Sequence, residues 1–108
     1  MSVNIRIELD IEGLASREQA EAVLRGVHEV ISDERLDDEV GVSMSERDGQ
    51  FVVQGRTDYP VIISGYGRWE PLFRAQIEGA VKQVTKTAEI RLSCVDVDIE
   101  RAMEEGTL

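Results

Sequence analysis

A chain of 108 residues, 42% of them hydrophobic, is long enough to bury a core without disulfide or metal staples. Twelve basic against 22 acidic side chains leave a net charge of −10, which argues against nucleic acid or an anionic membrane as the main partner. The single cysteine, Cys94, excludes an intramolecular disulfide. No apolar run approaches the roughly 18 residues of a membrane span, and the N-terminus shows no signal-peptide pattern.

Residues 1–54 carry 5 basic and 13 acidic groups (net −8), and residues 55–108 carry 7 and 9 (net −2). No Ser/Pro-rich linker separates these halves, so residues 1–108 are read as one domain.

Val3, Ile5, Ile7, Leu9 and Ile11 alternate with polar residues, the period-two signature of a strand with one dry face. Gly13 ends it. Ser16 caps a following helix, with Gln19 at the capping-box position, and Ala20, Val23, Leu24, Val27, Val30 and Ile31 form its apolar stripe. Beyond an acidic loop, Val40, Val42 and Met44 alternate again. Asp48-Gly49 then predicts a two-residue hairpin turn in which Arg47 faces Gln50, Met44 faces Val53 and Val42 faces Gly55. Tyr59-Pro60 breaks that strand, and Val61 to Ile63 read as the third strand of a meander. A second helix is expected from about Arg68 to Lys86, with Pro71 in its first turn and Glu78–Lys82 as an i,i+4 pair. Its apolar stripe is Phe73, Ile77, Ala80, Val81 and Val84.

The last strand is expected over Glu89 to about Glu100. Its apolar phase slips from Ile90, Leu92 and Cys94 to Val95, Val97 and Ile99, which predicts a β-bulge near Cys94-Val95. The tail from Ala102 to Leu108 is polar and reads as frayed or as a short helical turn. The order β-α-β-β-(β)-α-β predicts an α+β domain of the ferredoxin-like, split β-α-β type: a mostly antiparallel sheet with two helices on one face. The other face would carry Arg6, Glu8, Asp10 and Glu12 beside Asp96, Asp98 and Glu100, six carboxylates with one arginine.

No catalytic set is assembled by spacing, so no enzyme activity, metal or cofactor is assigned. Asp33, Glu34, Asp37, Asp38 and Glu39 put five carboxylates in seven residues without the pattern of a calcium loop. They read either as a solvated loop or as a surface for a basic partner. Asp96-x-Asp98-x-Glu100 reads as a wet strand face before it reads as a cation site. Gly65-Tyr66-Gly67 is a tight turn, because Glu70 stands where a phosphate loop needs its third glycine. His28, the only histidine, lies at the edge of the first helix's apolar stripe with no nucleophile in view, and Cys94 reads as buried and inert. Tyr66 and Trp69, at the second helix's entrance, read as apolar anchors for a partner or as a lid over the end of the core.

Three features, the Gly67-Arg68-Trp69-Glu70-Pro71 helix entry, the acidic 33–39 loop and the closing Asp96-Val97-Asp98-Ile99-Glu100, sit in a small acidic α+β chain. In this it resembles the immunity proteins of bacterial polymorphic-toxin and contact-dependent inhibition systems. That resemblance implies a cytoplasmic, non-enzymatic protein that neutralises a basic toxin domain by binding it. Asp33, Glu34, Asp37, Asp38, Glu39, Tyr66 and Trp69 would form the contact surface. The alternative is a small ligand-binding or regulatory module that homo-oligomerises, as a homodimer for instance, through its sheet.

Overall fold

The computed structural model of the protein describes residues 2–106. Five strands and three helices follow in the order β1 (Ser2–Leu14), α1 (Arg17–Asp33), β2 (Val40–Arg47), β3 (Gln50–Thr57), β4 (Val61–Ser64), α2 (Tyr66–Lys82), β5 (Glu89–Asp96) and α3 (Val97–Glu104). β1 is the central strand. It pairs with β3 and β4 on one side and with β5 on the other, and β2 hydrogen-bonds to β3 at the edge. Every pairing is antiparallel. With β3 and β4 counted as one interrupted strand, this is the expected ferredoxin-like arrangement.

The alternation in β1 is realised as read: Ile5, Ile7, Leu9 and Ile11 are buried against Val23, Val27 and Ile31 of α1 and Phe73, Ile77 and Val81 of α2. Ser16 caps α1, accepting from the Gln19 amide at 3.1 Å, while Gln19 Oε1 accepts from the Ala15 amide at 2.7 Å. Asp48 and Gly49 have φ of 53° and 79°, the pair of positive values a two-residue hairpin demands, and Arg47–Gln50, Met44–Val53 and Val42–Gly55 face each other as predicted.

Four expectations are corrected. β4 does not extend a meander; it leaves β3 through residues 58–60 and resumes the same edge of β1, Val61 opposite Ile5. Thr57 covers the gap, its hydroxyl accepting from the Ile7 amide at 3.1 Å. α2 begins at Tyr66 and ends at Lys82, so Pro71 lies in its second turn, and the i,i+4 ion pair that forms is Glu70–Arg74 at 2.7 Å rather than Glu78–Lys82. β5 carries no bulge: its register against β1 runs unbroken from Glu89 to Asp96. The phase slip marks the end of the strand instead. Asp96 accepts from the amides of Asp98 and Ile99 as an N-cap, and Val97, Asp98 and Ile99 enter a helix. Thus Ala102 lies in α3, while Thr107 and Leu108, the end of the expected tail, lie outside the described residues.

The fourth correction follows from the third. Two helices cover one face, but α3 lies against the other, where the even-numbered side chains of β1 emerge. Arg6 donates to both carboxylate oxygens of Glu100 at 3.0 and 2.9 Å, and Asn4 donates to Asp98 at 3.0 Å.

Candidate functional site

The acidic segment begins where α1 ends. Glu34 is the C-cap, Arg35 takes a left-handed φ of 58°, and the amides of Arg35 and Leu36 return to the carbonyls of Ser32 and Ile31. This is a Schellman ending, and the buried Leu36 is the apolar residue that accompanies it. Leu36 O then accepts from the amides of Glu39 and Val40, which starts β2. Two tight turns therefore hold the loop, and they leave Asp33, Asp37, Asp38 and Glu39 exposed.

Glu34 behaves differently. Its carboxylate accepts from Trp69 Nε1 at 3.1 Å. Trp69 in turn stacks on the buried Phe73, centroids 4.6 Å apart at 13°, and lies 6.3 Å from Tyr66. Both Tyr66 and Trp69 are half-buried and pack against the core. The structure thus joins Glu34 to Trp69, and it gives Trp69 the lid position while leaving one side of it on the surface. Tyr66 points elsewhere: its hydroxyl donates to Cys94 O at 3.2 Å, and burial raises its pKa.

Between the loop and β4 runs a groove of about 560 Å³. Glu34, Arg35, Leu36 and Glu39 line one side, Pro60 to Ser64 the other, and Trp69 also lines it. The β4 side was not legible as a site in the sequence, because Val61-Ile62-Ile63 reads as a buried run, yet Ile62 is 72% exposed.

The sheet face opposite α1 and α2 is an ion-pair lattice instead of a carboxylate field. Arg56 bridges Asp10 at 2.9 Å, Arg91 bridges Glu89 at 3.2 Å, and Arg6 holds Glu100 and approaches Glu8 at 3.6 Å. Desolvation pushes the Asp10 pKa up, but hydrogen bonds from Arg56 and Gln54 outweigh it and hold the carboxyl below its ordinary value. Asp96, Asp98 and Glu100 serve as helix cap, Asn4 acceptor and Arg6 acceptor, so the expected triad on a strand face does not exist. Burial first, and Glu70 second, push the Cys94 thiol up to about 11, which suppresses the reactive thiolate. His28 is exposed on α1.

The chain is similar in fold to the de novo designed protein Foldit4, with a TM-score of 0.63 and 18% identity over 88% of this chain and 97% of that one. It is also matched by the de novo designed protein Ferredog-Diesel, at TM-score 0.47 and 21% identity over 86% of this chain and 84% of that one. A third match is LFR1 1, a de novo design with ferredoxin fold, at TM-score 0.45 and 16% identity over 85% of this chain and 84% of that one. No family model and no curated protein matches the chain.

Proposed function

We propose that the protein is a non-enzymatic binding module that captures a basic protein segment in the groove between the 33–39 loop and β4. The observation that carries this reading is the meeting of carboxylates with apolar side chains along one groove. Glu34 and Glu39 line a cleft that also holds Trp69 and Ile62, and Asp37 and Asp38 stand exposed on the same loop. Charge at a rim steers encounter, and a desolvated aromatic at the centre slows release. The resemblance to immunity proteins extends the reading: the segment belongs to a cationic toxin domain, whose substrate-holding groups the carboxylates cover, and the complex forms in the cytoplasm.

The test is association kinetics with the basic domain encoded beside this chain, at low and high salt. Replacing Asp33, Asp37 and Asp38 together by Asn is expected to slow association and flatten its salt dependence. Salt-independent association, or a neighbouring gene that encodes no toxin, would sink the reading.

A further inference from the structure

The sheet's three outer edges are finished differently. The paired residues of β1 fix which backbone groups point outward. The Thr57 hydroxyl on Ile7 N–H shows that the odd residues of β1 turn their amides towards β3, so the even ones turn towards β5. Cys94 and Leu92 of β5 therefore point out of the sheet, and α2 covers both carbonyls: Tyr66 donates to Cys94 O at 3.2 Å and Arg74 to Leu92 O at 3.1 Å. β4 is only four residues long and follows Pro60. β2 has none of these protections.

By the same alternation Gly41, Ser43, Ser45 and Arg47 bond to β3, and Val42, Met44 and Glu46 direct their N–H and C=O groups away from it. Leu36 O takes the Val40 amide, but among the described residues nothing comparable covers the next three. From Val40 to Ser45 the strand holds no charge and no proline, the usual guards of an exposed edge. Beside it lies a groove of about 430 Å³, lined by Leu24, Arg25, His28, Glu29 and Val42.

We propose that β2 is a homodimer edge, at which a second copy of this chain adds its own β2 antiparallel across a two-fold axis at Met44. In that register Met44 meets Met44 of the second copy and Ser43 meets Ser45. Glu46 falls opposite Val42, so its carboxylate extends over the partner's groove, beside Arg25 and His28. Glu29 is the one carboxylate lining that groove. Glu29 balances Arg25, so the exchange is the specific approach of each Glu46 to the other copy's Arg25, which the two-fold makes reciprocal and closes at two. A second copy fits this edge better than a basic partner does, because the strand itself offers no acidic stretch. The groove beyond α1 and the acidic loop remains free, so dimerisation and the binding proposed above are independent.

Sedimentation velocity across a concentration series tests the edge. The whole molecule carries −10, so added salt screens repulsion between copies and is expected to raise the dimer fraction, the reverse of its effect on a basic partner. Met44→Lys sets like charges face to face and is expected to weaken the dimer about tenfold. If that variant does not fold, Glu46→Lys, at an exposed position, opposes Arg25 of the second copy and is expected to weaken it as well. In a Cys94→Ala background, Met44→Cys is expected to form an intermolecular disulfide under mild oxidation, because the two-fold brings each cysteine to its own mate. A protein that stays monomeric at every concentration and salt level would overturn the proposal. So would a dimer indifferent to both lysine variants.

Discussion

Trp69 and Arg35, both lining the groove, show how much one side chain decides there. The Trp69 indole contributes in two separable ways, a stack on Phe73 and a bond to Glu34. Trp69→Phe keeps an aromatic surface and loses the bond, which is expected to cost about 1 kcal/mol in chemical denaturation. Trp69→Ala loses both and is expected to cost about 3 kcal/mol, in the range of large-to-small core changes. Equal losses for the two variants would show that the stack contributes nothing. Arg35 occupies a left-handed position that glycine takes without strain. Because Arg35 is exposed and its side chain leaves the core untouched, Arg35→Gly is expected to raise stability by about 0.5–1 kcal/mol. An unchanged or lowered denaturation midpoint would show that the arginine offsets the loop's acidity by more than its backbone strain costs.

Among the elements, the strongest periodic signals carried over to the structure and the weaker ones did not. The nine-residue alternation of β1, the capped stripe of α1 and the Asp48-Gly49 hairpin each follow from a local rule, and each formed. The last segment misled because Val95-x-Val97-x-Ile99 satisfies a period of two as well as the first turn of a short helix. What decides between them is Asp96, whose carboxylate caps two amides, together with the docking groups Asn4 and Arg6, which lie more than 90 residues away in sequence. No local pattern reports such a partner. The same holds for Glu34 and Trp69, each singled out in the sequence but not as a bonded pair. An isolated helix of eight residues is too short to persist in water, where about 12–15 are needed, and α3 buries none of its residues. Its order therefore depends on docking. Glu100→Ala is expected to release it: amide exchange across 97–104 should accelerate while β1 and α1 keep their protection. If α3 exchange is unchanged, the Arg6–Glu100 bridge is not what holds it.

At the scale of the whole molecule, charge and edge chemistry oppose each other. At neutral pH the net −10 keeps copies apart, and the unguarded β2 edge favours bringing them together. The balance moves with pH because the charge is nearly all carboxylate. As pH falls towards the isoelectric point near 4.5, the net charge approaches zero and the repulsion that opposes self-association disappears. The hydrogen-bonding groups of Val42 and Met44 do not titrate, so attraction at that edge persists. Light scattering is therefore expected to rise as pH falls from 7 and to peak near pH 4.5. Met44→Lys adds one charge, which barely moves the isoelectric point, but it places that charge at the centre of β2. If the edge drives association, this variant suppresses the peak, and a lysine on exposed α2, such as Gln76→Lys, leaves it in place. If both variants scatter alike, association near the isoelectric point is a property of the whole surface and not of β2.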